Sequence, residues 1–228
     1  MTEEGVIKFH VDHTHAALTP GRYGDLACSL IAWRELLTRA RLLGQDPTRY
    51  GGAGYGNISA RIGAPSSPRG ARPFLISGTQ TSGLQAVSLE ELCVVSRYDT
   101  VANTAVSEGL LHPSSESLTH GAIYDLSPHI RAVIHAHAPA LWGRARKLNL
   151  PITDPHATYG TTALAYDVQR LYRSTALPET QILALGGHED GVFVFGRNLE
   201  EAGGVLMKTL ARAYEGLCAD QGIRLDAP

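Results

Sequence analysis

The segment His135-Ala-His137 directly follows the apolar run Ala132-Val-Ile134. Such a run reads as a buried strand, and on a strand residues i and i+2 share a face about 6.6 Å apart, so both imidazoles can turn toward one ion. On a helix the same spacing would send the rings to nearly opposite sides. Taken alone, the pair also fits polar surface or satisfied core histidines, because ten histidines occur in the chain. A metal reading therefore depends on the elements around the pair.

Those elements alternate without an internal repeat. Asp25 is expected to cap a first helix running to Leu43, with Leu26, Leu30, Trp33 and Leu37 on its apolar face and Gly44 as its stop. The glycine-rich turn 51–56 leads into a strand over Asn57-Ile-Ser-Ala-Arg61, and Phe74–Ile76 and Leu92–Val95 read as short buried strands separated by a Pro/Ser/Gly loop, Ala64–Pro73. A hairpin is expected around Asn103, and then Ser114 or Ser115 caps a helix to about Leu126. Val133–Ala136 is the histidine-bearing strand. Leu141–Lys147 and Val168–Leu177 read as helices, and Ile182–Leu185 and Val192–Phe195 as a strand pair around Gly186-Gly-His-Glu-Asp-Gly191. Asn198 with Glu201 resembles a capping box opening a last helix to Cys218.

Composition narrows the class. With 43% hydrophobic and 18% charged residues the chain reads as globular, and its net charge of −2 supplies no basic footprint for nucleic acid. No apolar run has the length of a membrane span, and the acidic Met-Thr-Glu-Glu start is unlike a secretory signal, so a cytoplasmic protein is expected. Cys28, Cys93 and Cys218 are odd in number and widely spaced, which reads as reduced core thiols. The reading is an N-terminal arm over residues 1–24 followed by one domain over 25–228, with His10, His13 and His15 on a mobile arm in preference to a second metal site.

Taken in order, Asn57-Ile-Ser59 after glycine, Ser77-Gly-Thr79 after a strand, Pro113-Ser-Ser-Glu116 with His120 four residues later, His135-Ala-His137, and His188 in a glycine-rich loop form a pattern. It resembles the class II aldolase and adducin family, over about Asp25 to Leu217. The resemblance implies a three-layer α/β/α fold with a central, mostly antiparallel sheet, Zn²⁺ or another divalent ion, and a homotetramer acting on a small molecule. His135, His137 and His188 correspond to the metal ligands, Glu116 to the catalytic carboxylate, and Asn57, Ser77, Gly78, Ser114 and Ser115 to groups that hold a substrate phosphate. A carboxylate beside such a metal suits retro-aldol cleavage of a hydroxy-ketone, because the cation stabilises an enediolate while the carboxylate moves the proton at carbon. The bland alternative for Glu116 is a helix-start glutamate favoured by the helix dipole.

Two departures from the family pattern stand out. Glu189 and Asp190 separate His188 from Gly191, where the family has glycine at once, so an added carboxylate could sit beside the metal or tilt the ring away. The family's tyrosine proton donor has no register match, leaving His156 and Tyr159 as candidates in a Pro-rich loop. Only Lys8, Lys147 and Lys208 occur, outside the motifs, which disfavours a Schiff-base route; backbone N–H groups can bind an anion without lysine. The alternatives are a sugar-phosphate epimerase, dehydratase or decarboxylase of the same superfamily, or a non-catalytic adducin-like assembly module.

Overall fold

The computed structural model describes residues 6–222. Its central sheet has eight strands: β1 (His10–His15), β4 (Asn57–Arg61), β5 (Phe74–Ser77), β6 (Leu92–Asp99), β7 (Thr104–Gly109), β8 (Ala132–His137), β9 (Ile182–Ala184) and β10 (Gly191–Gly196). A small ribbon pairs β2 (Gly44–Gln45) with β3 (Gly54–Tyr55). The order across the main sheet is β1-β7-β6-β5-β4-β8-β10-β9. Only β1 and β7 run parallel; the other described strand pairs are antiparallel.

Strands β4, β5, β8 and β10 are buried along their whole length, which explains the mainly apolar sequences of β5, β8 and β10, whereas β4 buries Asn57, Ser59 and Arg61 as well. The period of two sorts their side chains. Ile58, Ile134, Val192 and Val194 join one core with Leu30 and Leu37 of α1 (Pro20–Arg39) and Leu206 of α6 (Leu199–Asp220). Phe74, Val133, Phe193 and Phe195 join the other with Ile123 and Tyr124 of α2 (Ser117–Tyr124) and Leu164 and Val168 of α4 (Thr162–Ser174). The result is a three-layer α/β/α arrangement around a mostly antiparallel sheet. Short α3 (Pro139–Trp142) and α5 (Leu177–Thr180) complete it. Among the described residues no helix is long and apolar enough to cross a membrane.

Several boundaries differ from the sequence expectation. Helix α1 begins at Pro20, whose fixed φ suits the first helical turn, and ends at Arg39. Arg41 then turns left-handed at φ 59°, and Leu42 and Leu43 are buried in the core instead of extending the helix to Gly44. Residues 10–15, expected in an arm, form edge strand β1, and residues 20–24 form the first turn of α1. Helix α4 opens six residues before Val168, capped by the Thr161 hydroxyl on Leu164 N–H. Segment 141–147 is helical only to Trp142. Asn198 caps α6, but Glu201 reaches back to Arg197 N–H and not to the cap's own. Cys28 is exposed and only Cys93 is fully buried, so the three thiols are not all core residues.

Candidate metal centre and the groups around it

On β8, His135 and His137 alternate with Ile134 and Ala136 and therefore face the α2 side of the sheet. His188 comes from the β9–β10 loop, beside them because Gly191 pairs with His137. Gly191 is required there, since a Cβ would lie 2.9 Å from the His188 ring. All three rings are buried, and one nitrogen from each lies within 4.8 Å of the others.

Two observations fit this cluster to a cation. His137 Nε2 and His188 Nε2 are 2.9 Å apart, and two ring nitrogens facing each other across so short a gap suit a shared positive centre; nitrogens at about 2.0–2.1 Å from one tetrahedral ion are about 3.3 Å apart. His135 Nδ1 faces the Val192 carbonyl at 3.1 Å, which fixes the proton on Nδ1 and leaves the buried Nε2 lone pair pointing into the cluster with no hydrogen-bond donor to accept from. Burial pushes His135 and His137 well below the usual imidazole range, helped for both by neighbouring histidines. Neutral imidazole is the ligating form. Three protein nitrogens are the ligand number of a catalytic site, whereas a closed structural one takes four.

Glu116 stands at the cluster's edge, its Oε2 3.1 Å from His135 Nε2. The carboxylate belongs to the residue preceding α2, and no side chain caps that helix. Ser114, expected as the cap, instead accepts from Glu116 N–H through its hydroxyl and from Ser117 through its carbonyl, tightening the turn that presents Glu116. Asn57 Nδ2 donates to Glu116 Oε2 at 2.8 Å, across the register in which Asn57 pairs with His135.

A cavity of about 330 Å³ opens beside Glu116, lined in part by Asn57, Gly78, Ser114 and Ser115. Four of the five residues expected to hold an anion therefore meet at one cavity. Ser77 does not line it: its hydroxyl accepts from Ile58 N–H and ties β5 to β4. Gly56, at φ 75°, lets the chain enter β4 where a Cβ would lie 3.0 Å from the His135 carbonyl.

The Glu189-Asp190 insertion leaves His188 in the cluster. Asp190, left-handed at φ 62°, accepts from the Tyr50 hydroxyl at 2.7 Å, and the Tyr50 ring sits edge-on to His137 with centroids 4.6 Å apart. Arg49 donates to the Tyr50 and Tyr55 hydroxyls, so an aromatic pair is clamped beside His137. Burial, then the Asp190 carboxylate, push the Tyr50 phenol upward, so it stays protonated. Sequence reasoning missed Tyr50, Tyr55 and Arg49; their only signal is their place around the glycine-rich turn. Tyr159 is buried with its ring 5.2 Å from that of His188, and Lys8 Nζ lies 3.8 Å above it, whereas His156 is exposed. His13 bonds Ser107 and stacks near His112, but among the described residues only His135, His137 and His188 gather as a ligand set of three.

The sequence model of the class II aldolase and adducin N-terminal domain matches residues 34–215. The chain belongs to this family. No curated protein matches it. Among solved structures, L-fuculose-1-phosphate aldolase from Thermus thermophilus is similar at 20% identity and a TM-score of 0.62, over 90% of this chain and 100% of that one. A sugar-phosphate aldolase from Thermotoga maritima has a TM-score of 0.66 at 15% identity, over 89% and 98%. YgbL from Escherichia coli, designated aldolase/epimerase/decarboxylase, has a TM-score of 0.62 at 19% identity, over 89% and 94%. At these identities the likeness is one of fold.

Proposed function

We propose that this family member is a metal-dependent lyase that cleaves a hydroxy-ketone, first of all a ketose phosphate, by retro-aldol reaction. The observation that supports it is the juxtaposition of Glu116, 3.1 Å from His135, with a cavity whose wall includes Gly78, Ser114 and Ser115. A divalent ion held by His135, His137 and His188, zinc by the all-nitrogen donor set, supplies Lewis-acid stabilisation of charge on substrate oxygens. As the carbon–carbon bond parts, its electron pair stays with the ketone fragment and Glu116 delivers a proton to that carbon. Glu116 therefore starts protonated, and the hydroxyl proton of the fragment that becomes the aldehyde passes to a second group that starts deprotonated, for which Tyr159 as the phenolate, buried against His188, is our candidate; return of that proton to Glu116 closes the cycle. Ser114, Ser115 and the remaining amide proton of Asn57 hold the anionic end through hydroxyl and N–H groups, while Gly78, whose own N–H is donated to the Glu91 carbonyl, lines the wall beside them. The same reading includes a homotetramer.

The test joins two measurements. Elemental analysis of protein purified without chelator should find about one divalent ion per chain, and His137→Ala should abolish both metal and activity. A panel of ketose phosphates with coupled detection of released aldehyde should identify turnover. Epimerised ketose or carbon dioxide in place of an aldehyde would assign one of the other reactions, and metal-free protein at full activity would remove the whole reading.

A further inference from the structure

Glu116 is tied to a line of buried polar side chains that joins β4 to α2. Tyr124 Oη lies 2.7 Å from Ser59 Oγ, and Ser59 Oγ lies 2.6 Å from His120 Nδ1. His120 Nε2 lies 2.6 Å from Asn57 Oδ1, and Asn57 Nδ2 lies 2.8 Å from Glu116 Oε2. Asn57 and Ser59 share a strand face, and His120 and Tyr124, one turn apart, share a helix stripe. Ser59, His120 and Tyr124 are fully buried, so each polar atom must be satisfied by protein. Phe193 meets the His120 ring edge-on and Phe74 lies parallel to it, which fixes its rotation.

The donor in each bond follows from the carboxylate end. Glu116 Oε2 accepts, so Asn57 turns its NH₂ toward it and its carbonyl oxygen toward His120. That oxygen can only accept, which places a proton on His120 Nε2. Burial keeps His120 neutral, its pKa lowered to about 3, so Nδ1 is a lone pair that takes the Ser59 hydroxyl proton. Ser59 Oγ then accepts from Tyr124. Every donation runs the same way, and bonds aligned in series polarise one another.

We propose that Tyr124, Ser59, His120 and Asn57 form a one-way hydrogen-bond relay that fixes the orientation of Glu116 at His135, with Asn57 and His120 as positioning residues for this carboxylate. The inference rests on the lyase reading for what Glu116 does, but not for the relay itself. It also revises Asn57, whose oxygen and one amide proton are spent inside the relay and leave a single N–H for an anion.

The first measurement is the tautomer of His120, read by ¹⁵N-edited NMR of the purified protein at neutral pH, with His120→Gln identifying its signals. The Nε2–H form is expected; the Nδ1–H form or an imidazolium overturns the relay. The second is Ser59→Ala, which removes the donor to Nδ1. It should keep the parent metal content and lower kcat about tenfold with KM within about twofold, and Ser59→Thr should restore turnover. Unchanged kcat in folded, metal-loaded Ser59→Ala overturns the proposal. If that variant does not fold, Tyr124→Phe serves in its place, with kcat about threefold down expected and no change overturning. Because the tautomer is read without substrate, an Nε2–H His120 in a protein that releases no aldehyde keeps the relay and removes the lyase reading.

Discussion

Strand β4 carries buried polar groups at both ends, roughly 13 Å apart, and the two ends use them differently. At one end Asn57 bonds only side chains, Glu116 and His120, which belong to a loop and a helix converging on His135. At the other end Arg61, 2% exposed, donates to the main-chain carbonyls of Pro128 and Ala64, while Arg131 donates to those of Arg61 and Gly63. Burial lowers the Arg61 guanidinium, with Arg131 adding to the effect. Both ends pair buried polar groups, with Arg61 Nε and Arg131 Nη1 left without a partner, but one end uses its bonds to close loops and the other to aim side chains at a point. Buried charge alone therefore does not mark a site; convergence of side-chain partners does.

The largest expected effect tests the converging end. Glu116→Gln keeps the shape and should retain metal while lowering kcat by roughly 10²–10⁴-fold, as loss of a general acid–base group does. Metal loss on elemental analysis would make Glu116 a ligand, and unchanged turnover would reduce it to a helix-start residue.

Acid should strain the same end. His120 is held near pKa 3 in the fold against 6.5 in the unfolded chain, so below pH 6.5 the unfolded state binds a proton that the folded state refuses. Its stabilisation is complete above pH 6.5 and falls by up to about 1.4 kcal/mol per pH unit as pH drops toward 3. Urea unfolding from pH 7 to 4 should show a shallower slope for His120→Gln, by about one proton; parallel slopes would mean that His120 ionises in the fold.

The opposite end should answer in stability alone. Arg61→Met removes donors to three loop carbonyls, those of Pro128, Ile130 and Ala64, and should cost about 1–3 kcal/mol in chemical unfolding with kcat and metal content near parental. A large loss of kcat would erase the distinction between the ends. The smallest effect concerns the insertion: Asp190→Asn keeps the shape but weakens the bond from Tyr50, and should raise KM by less than about tenfold with metal retained. Loss of metal would show that Asp190 holds His188 in place.

Legibility followed locality. His135-Ala-His137 could be read because alternation along β8 is a property of six consecutive residues. The strands over 57–61 and 74–76 and the Asn198 cap were legible for the same reason. The course of residues 10–15 was not, because polar alternation on an edge strand looks like a solvated arm until β7 lies beside it. Tyr159, in a Pro-rich loop where exposure is the default, is buried because His188 and Lys8 cover it.

By itself the sequence determined which residue types were present at which local period: a histidine pair on one strand face, a glutamate opening a helix, glycines where turns needed them. It also carried the family pattern. Only the tertiary structure decided what those groups touch. Tyr50 meets Asp190 across 140 residues and His120 meets Asn57 across 63, contacts that no local period encodes. The second arises because helix α2 packs over the face of the sheet that carries Asn57, which buries both side chains so that they must satisfy each other, and the first because the β9–β10 loop brings Asp190 beside the partly exposed Tyr50.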